Sequence, residues 1–376
     1  MDLLLPGESR TAPDVFLYQA SATERYAREM DVDSPEKALL LSIIKGARDT
    51  FTVDQSTLMT PALFAYGHYL EETSRYEEAL DVLRTLVDLG RDKLAARDAI
   101  ATTLRIARVL RKLAHFDEAY ASYEEAGSLA LVTGDVYSEL LSRIGRVNIV
   151  WNRGNLAEAE AGYRQLIEDA RAAHQTDAEA RATDGLASTL GVKGRPAEAI
   201  PFAWRAFELY EDCTSKNRAL VGLGILLRDL GDLDAAEQAF RAALARTDGT
   251  EHSGNAVLEL IECASLRGDR FGYARWREEA RRRESGFTPS MRVDFLLKQG
   301  LADARFGSVE RGQEHLQLAL ALAQQHKLHE YVFRIDGLKQ NLRELDRLAP
   351  AEVAEGMAQE SVEAVRAGLR ELVAAD

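Results

Sequence analysis

A ten-residue pattern recurs along the chain, and its spacing constrains the fold more than any other feature. Clear copies include SRYEEALDVL at residues 74–83 and GDLDAAEQAF at 231–240. The sixth residue of each clear copy is an alanine: Ala79, Ala119, Ala159, Ala199 and Ala236. The first four alanines are 40 residues apart, the fifth follows after 37, and looser copies begin at 268 and 307. About seven units at this period predict a chain that stacks one small structural unit on the next.

Each unit is predicted to be a pair of antiparallel helices. In the segment 218–245, Leu220, Leu223 and Leu227 recur at the spacing of one helix face. Gly231 is suited to the left-handed residue that ends this helix, and Asp232 is suited to capping the next one. The pattern therefore predicts two helices joined by a tight turn.

A small residue is expected on the first helix of each pair, where the two backbones approach each other. This position holds Gly67, Ala107, Ala187, Gly224 and Gly300, whereas the third and sixth units hold Val147 and Ile261. Together with Ala236 and Phe240, Gly224 shows the pattern best, and the chain over 56–345 resembles the tetratricopeptide repeat (TPR) in a long bacterial form of 37–40 residues. The resemblance implies an all-α fold, a right-handed α-solenoid of about seven hairpins with N- and C-terminal capping helices.

The two ends of the chain lie outside the repeats. Residues 1–55 contain two helical patterns without the repeat marker, so they form either an N-terminal cap or a small separate helical module. Residues 346–376 carry an amphipathic pattern, which indicates either a C-terminal cap or a segment that docks into a groove or onto a second subunit.

Composition limits the environment and the partners. The start MDLLLPGESR has no basic region or long apolar run, no stretch of 18 apolar residues occurs, and Cys213 and Cys263 are too few for a disulfide framework. We therefore expect a cytoplasmic protein whose oligomeric state is open. The formal net charge of −14 disfavours binding to nucleic acid or to an anionic membrane.

Motifs of catalysis are not found in the sequence. There is no phosphate-binding loop, no HExxH and no GxSxG, and His326 and His329 have no further ligand at metal-binding spacing. We therefore expect a non-enzymatic protein without a cofactor or metal.

The resemblance implies a concave groove lined by the first helix of each hairpin. Counting from the small residue along each first helix places the following residues in that groove: Phe64, His68, Glu71, Glu72, Arg108, Arg111, Lys112, Asn148, Trp151, Asn152, Arg181, Asp184, Arg218, Arg228, Asp229 and Arg305. Arginine binds carboxylates in a bidentate manner, and asparagine pairs with peptide amides. This basic stripe predicts a protein or peptide partner with acidic groups or a free C-terminus. The alternative is that the arginines pair with acids on neighbouring helices.

Two functions fit these features. The first is a scaffold that binds an extended peptide or partner segment in a partly basic groove. The second follows from the layout of a short N-terminal module, about seven long repeats and a similar length, which resembles peptide-responsive regulators of the Rap type. In that interpretation residues 12–50 form an effector surface, and no DNA-binding domain is present.

Overall fold

The described residues divide into two units, both built from helices. A computed structural model describes residues 13–31, 34–52, 59–90, 94–246, 251–326, 328–341 and 357–375. Within these ranges every regular element is a helix, as the all-α prediction requires. The two units comprise Met1–Asn155 and Leu156–Asp376, and the boundary falls between the two helices of the third hairpin.

The first unit contains two N-terminal helices, two complete hairpins and the first helix of the third hairpin. Its helices are α1 (Pro13–Glu29), α2 (Pro35–Thr52), α3 (Thr60–Glu72), α4 (Tyr76–Gly90), α5 (Ala96–Lys112), α6 (Phe116–Thr133) and α7 (Val136–Asn152). Its core includes Leu63 and Leu70 from α3 together with Leu83 from α4. Hairpin 1 is therefore α3–α4 and hairpin 2 is α5–α6.

The second unit contains the second helix of hairpin 3, four complete hairpins and two further helices. Its helices are α8 (Leu156–Ala172), α9 (Thr176–Val192), α10 (Pro196–Leu209), α11 (Cys213–Asp229), α12 (Leu233–Arg246), α13 (Glu251–Leu266), α14 (Arg270–Arg283), α15 (Pro289–Arg305), α16 (Val309–Gln325), α17 (His329–Asn341) and α18 (Met357–Ala375). Hairpins 4 to 7 are α9–α10, α11–α12, α13–α14 and α15–α16.

The predicted turn and close approach are both present in hairpin 5. Gly231 has φ 90°, a backbone conformation that strains other residues, and Asp232 accepts a hydrogen bond from the Ala235 amide at 3.1 Å. A Cβ added to Gly224 would lie 2.5 Å from the Phe240 ring. The repeated decamer therefore encodes the turn and the contact that allow the two helices to close.

The helix α2 packs on hairpin 1. Ile43 and Ala47 of α2 join the core of α3 and α4, whereas Ala38 is exposed. Glu36 accepts hydrogen bonds from Tyr66 at 2.9 Å and from Arg75 at 2.6 Å. This helix covers the apolar face that the first hairpin would otherwise expose. Residues 1–12 and 53–55 of the predicted N-terminal segment lie outside the described residues.

The C-terminal helix α18 lies against α10 and α12, the second helices of hairpins 4 and 5. Val362, Val365 and Leu369 form its buried stripe, and Arg366 pairs with Asp232 at 2.5 Å. The amphipathic pattern is thus explained by packing within the second unit, on the helices that alternate with those of the predicted groove. Residues 346–356 of this predicted segment lie outside the described residues.

Candidate peptide-binding faces

One buried carboxylate organises the first helices of hairpins 1 and 2. Glu71, at the end of α3, has 1% of its surface exposed. Arg105 donates to its Oε2 at 2.9 Å, Arg108 donates to the same oxygen at 2.6 Å, and Lys112 Nζ lies 3.6 Å from Oε1. Burial raises the pKa of Glu71, but the hydrogen bond and charge of Arg108 and the charges of Lys112 and Arg105 outweigh it and lower the pKa. Glu71 is therefore ionised at neutral pH, with three cations around it.

His68 contributes a polar ring to this cluster. Its Nδ1 lies 2.6 Å from Nη1 of Arg105, whose guanidinium also stacks 4.9 Å from the centroid of the Phe64 ring. Burial and the charge of Arg105 lower the pKa of His68. The imidazole is therefore neutral at pH 7, and its Nδ1 serves as an acceptor for Arg105.

Two donors beside the cluster have no acceptor among the described residues. Arg111 donates from Nη1 to Asn152 Oδ1 at 2.9 Å, which links α5 to α7. The Nε of Arg111 and the Nε1 of Trp151 are both buried, and neither has a hydrogen-bond partner among the described residues. Buried donors without partners are costly in free energy, so both atoms favour an incoming acceptor.

We call this surface the α3–α5–α7 face. It brings together eight of the twelve principal residues predicted from the sequence: Phe64, His68, Arg108, Arg111, Lys112, Asn148, Trp151 and Asn152. Asn148 is half-buried on α7, one helical turn before Asn152. The predicted Glu71 is present as well, but it lies beneath the cations and is not exposed in the face. The other four principal residues belong to the second unit.

All three arginines among these four residues already have acidic partners, and those of Arg181 and Arg218 lie on α9. Arg181 donates to Asp177 at 2.6 Å within α9. Arg218 lies 3.4 Å from Asp184 Oδ2 and donates to the Tyr210 hydroxyl at 2.8 Å. At these two positions the structure matches the alternative that the sequence left open, in which arginines of the stripe pair with neighbouring acids.

A second cluster joins α11, α13 and α15, and we call it the α11–α13–α15 face. Arg228 of α11 pairs with Asp229 at 2.8 Å and with Glu259 of α13. Glu259 also accepts from Lys298 of α15 at 2.8 Å, and Lys298 donates to Asp294 at 2.5 Å. Burial alone disfavours both charges, but the paired groups lower the pKa of Glu259 and raise the pKa of Lys298. Every charge in this chain of contacts has an opposite partner.

A pocket of about 640 Å³ opens beside this second cluster. Arg305, at the end of α15, donates to Glu262 Oε1 at 2.8 Å and to the Ser265 hydroxyl at 2.9 Å. Leu233, Leu266 and Leu301 supply apolar lining. The predicted groove residues Arg228, Asp229 and Arg305 all line this pocket.

Three charged residues that hold these clusters together were not among the predicted groove residues: Arg105, Glu259 and Lys298. Each lies two residues before the small position of its helix, at Ala107, Ile261 and Gly300 respectively. That offset was not counted among the groove positions. One signal was available, because Arg105, Arg108 and Lys112 recur at i, i+3 and i+7 and so share one helix face.

The described residues contain no metal-binding cluster. No group of three or more His, Cys, Asp or Glu side chains in these ranges is arranged to hold a metal ion. Cys263 is buried, and burial raises the pKa of its thiol to about 12, so it stays protonated. Among the described helices, none combines the length and the apolarity needed to cross a membrane.

Comparison with known proteins agrees with this architecture. Residues 218–247 match the tetratricopeptide repeat family. The apo form of the quorum sensor NprR from B. thuringiensis gives a TM-score of 0.57 at 13% identity, covering 82% of this chain and 97% of that one. A Rap protein complexed with competence and sporulation factor gives 0.51 at 13% identity, covering 89% and 98%, and the apo form of RapI gives 0.52 at 11%, covering 71% and 98%.

The chain is TPR-like. Its similarity to these solved structures extends over most of its length, but at such low identity it concerns the fold alone. No curated protein matches the chain significantly in sequence. The function must therefore be argued from the faces themselves.

Proposed function

We propose that this TPR-like protein is a non-enzymatic interaction module that captures an extended peptide or partner segment on the α3–α5–α7 face. The ligand carries acidic groups or a free C-terminal carboxylate. The observation that carries the proposal is the excess of cations over carboxylates around Glu71, together with two buried donors for which the described part of the chain supplies no acceptor.

The charge balance supports an anionic ligand. Four cations, Arg105, Arg108, Arg111 and Lys112, face the buried Glu71 and the exposed Glu72. The neutral His68 leaves this balance unchanged. The face thus has a local positive excess within a chain of net charge −14. A carboxylate that approaches it gains charge-assisted hydrogen bonds and leaves few cations without a counter-charge.

The donor arrangement supports an extended ligand. Trp151 offers an indole N–H and Arg111 offers Nε, both lacking an acceptor among the described residues. Asn152 is exposed beside them and suits a peptide amide, since its side chain both donates and accepts. Phe64, half-buried under Arg105, adds an apolar surface. These groups favour a carboxylate together with flanking peptide bonds.

The four principal residues of the second unit are not expected to make the first contacts with the ligand. Arg181, Arg218 and Arg228 are engaged with acids, and Asp184 accepts from the Tyr210 hydroxyl at 3.3 Å. A ligand has to displace those partners before it gains contacts there. We therefore assign the first capture step to the α3–α5–α7 face.

The proposal is tested with a fluorescent pool of pentapeptides bearing free C-terminal carboxylates, compared with the same pool amidated at the C-terminus. Anisotropy should show tighter binding of the free-acid pool and weaker binding as salt increases. The double variant Arg108→Gln/Arg111→Gln should lose at least tenfold in affinity for the free-acid pool.

The matched control is Arg181→Gln/Arg218→Gln, which removes the same charge from the second unit. Its affinity should stay within about twofold of that of the unaltered protein, a difference of less than 1 kcal/mol. Equal binding of the two pools, or equal losses in the two double variants, would contradict capture at the α3–α5–α7 face.

A second candidate function is a peptide-responsive regulator of the Rap type. Its support is the fold shared with a Rap protein complexed with competence and sporulation factor, and the contact of Glu36 in α2 with Tyr66 in α3. In this version, ligand binding on α3 changes the position of α1 and α2, which act as the effector surface. Hydrogen exchange of residues 35–47 with and without the free-acid pool tests it: altered exchange supports the regulator, and unchanged exchange with bound peptide supports the scaffold.

A further inference from the structure

A second pocket, of about 590 Å³, lies between α12 and α14, the second helices of hairpins 5 and 6. Its apolar lining consists of Leu244 from α12 and Trp276 from α14, and both side chains are half-buried. Its polar lining consists of Arg241, Arg275, Glu278, Glu279 and Arg282. The volume lies in the range of pockets that bind small molecules. The pocket thus offers an indole ring with charged groups around it.

Two arginines lie next to the ring of Trp276. The guanidinium carbon of Arg275 is 4.6 Å from the ring centroid, and that of Arg241 is 5.8 Å from it. Both distances are in the range of cation–π contacts. Arg241 also pairs with Glu237 at 2.5 Å, whereas Arg275 is exposed and has no acidic partner among the described residues. Arg275 is therefore a cation beside an aromatic surface, with its charge available to a ligand.

The charge around this pocket is positive even when all ion-pair partners of its lining are included. Arg241 shares Glu237 with Arg267, which also pairs with Asp234, and the two glutamates of the lining pair with arginines of α14. This network has six cations, Arg241, Arg267, Arg275, Arg281, Arg282 and Arg283, and four carboxylates, Asp234, Glu237, Glu278 and Glu279. The excess of two cations favours an anionic ligand.

The same groups describe the chemistry of that ligand. A planar ring can stack on an indole and on a guanidinium. A phosphate monoester carries about 1.5 to 2 negative charges at pH 7 and has three strong acceptor oxygens, so it can contact both Arg241 and Arg275. A carboxylate would balance only half of the excess charge. The pocket therefore fits a planar ring that carries a phosphate.

We propose that this pocket is a second binding site, which takes a phosphate monoester attached to a planar aromatic group. Trp276 stacks on the aromatic group, and Arg275 binds the phosphate with Arg241 as the second contact. Two sources share this chemistry: the side chain of a phosphotyrosine and a nucleoside monophosphate. The site is independent of the proposed capture of carboxylates, because its residues belong to other helices and its ligand needs both a ring and a phosphate.

The test uses small probes with the full chain. N-acetyl-phosphotyrosinamide and adenosine monophosphate represent the two sources, N-acetyl-tyrosinamide and adenosine lack the phosphate, and inorganic phosphate lacks the ring. The chain has three tryptophans, so NMR of the indole N–H groups follows Trp276 separately from Trp151 and Trp204. At least one of the two phosphate monoesters should shift the Trp276 signal saturably, and the tighter of the two identifies the source. The probes without phosphate or without a ring should bind at least tenfold more weakly.

Two variants locate the site. Arg275→Gln should weaken the preferred phosphate monoester at least tenfold, and the fold should be retained because Arg275 is exposed and no acid among the described residues depends on it. Arg292→Gln is the matched control, since Arg292 is an exposed arginine of α15 that likewise has no acidic partner within the described ranges. It should leave the affinity unchanged.

Several results would overturn the second site. These are an unshifted Trp276 signal with both phosphate monoesters, equal binding of the probes with and without phosphate, or full affinity in Arg275→Gln. Phenylacetate, a ring with a single negative charge, should bind more weakly than the preferred phosphate monoester, and equal binding would contradict the choice of phosphate. Arg108→Gln/Arg111→Gln should bind that monoester normally, so a failure of carboxylate capture and a failure of this site are separable.

Discussion

The two charged faces of this protein use the same positions of the repeat but reach opposite balances. On the α3–α5–α7 face, Glu71 lies four residues after the small position of α3 and meets Arg105, two before the small position of α5. On the α11–α13–α15 face, Arg228 and Glu259 occupy the equivalent positions with the charges exchanged. The first face has more cations than carboxylates. On the second face, Lys298 pairs with both Glu259 and Asp294, so its charge is compensated.

This difference shows that the arginine content of a repeat surface is a poor guide to its binding capacity. Arg228 carries the same positive charge as Arg108, but its charge is compensated inside the protein. What matters is the number of charges and hydrogen-bonding atoms left without a partner after the helices have packed. By that measure the first face offers cations and N–H donors to an incoming acceptor, whereas the cations of the second face are already paired.

The largest difference is expected from one substitution made on each face. Lys298→Met leaves the buried Glu259 and the partly buried Asp294 without their shared cation, and should lower the free energy of unfolding by about 3–5 kcal/mol. Lys112→Met removes an exposed cation from an excess, and should change it by about 0–1 kcal/mol. Urea denaturation measures both. Similar losses of unfolding free energy in the two variants would show that the two faces do not differ in how their charges are compensated.

Glu71→Gln should separate stability from binding on the first face. The guanidiniums of Arg105 and Arg108 lose their shared carboxylate, so we expect a loss of about 1–3 kcal/mol in the free energy of unfolding. The same guanidiniums become free for a ligand, so affinity for the free-acid peptide pool should rise about tenfold, or about 1.4 kcal/mol. Glu72→Gln, at an exposed position, is the control. Weaker binding in Glu71→Gln would show that the buried carboxylate is needed to hold the site.

Trp151→Phe should have a smaller effect, confined to binding. A smaller aromatic ring replaces the indole and the N–H donor is lost, so affinity for the free-acid pool should fall by about 0.5–1.5 kcal/mol. Trp276→Phe in the second unit serves as the matched control and should leave this affinity unchanged. Unaltered binding in Trp151→Phe would exclude the indole N–H as a ligand contact.

The smallest effect is a difference in pH dependence. The lowered pKa of His68 means that its contribution to stability is present above its ordinary value of 6.5 and is lost as the pH falls through the folded value. Glu71 adds a further loss below 4.5 with the same sign. Urea denaturation at pH 7.5 and pH 5.5, with Trp204 and Trp276 replaced by phenylalanine so that Trp151 reports, should show a small destabilisation at the lower pH. His68→Asn should reduce it, and an unchanged difference in that variant would assign it to another group.

The second face should respond at both ends of the pH range. Glu259 has a lowered pKa, so its stabilising contribution is lost as the pH falls below 4.5. Lys298 has a raised pKa, so its contribution is present below 10.5 and is lost as the pH rises through the folded value. Alkaline destabilisation that is absent in Lys298→Met would support this assignment.

Much of the local architecture was predictable because it depends on residues close in sequence. Gly231 and Asp232 lie within one turn, and Gly224 and Phe240 belong to the same hairpin. The counting rule for groove positions also placed eight of its principal residues on the first helices of one unit. Local geometry carries such information because the helical period and the turn conformation repeat with the sequence.

The ion pairs between hairpins were not predictable by the same rule. Arg105 and Glu71 are 34 residues apart, and Lys298 and Glu259 are 39 apart. Whether such residues meet depends on the register between packed helices, which no single hairpin specifies. The amphipathic C-terminal segment is a similar case, since its apolar stripe was visible but its position on α10 and α12 was not.

The sequence by itself determined that this chain folds into helical hairpins with a tight turn and a small-residue contact, because one hairpin cannot bury its own apolar face and must repeat. Only the tertiary structure decided which charges are available to a ligand. Glu71, Glu259 and Glu262 are all helix glutamates, yet three cations pair with Glu71, two with Glu259 and one with Glu262. The physical reason is that the energy of a buried charge depends on its partners across the helix interface. The packing of the helices determines which residues become those partners.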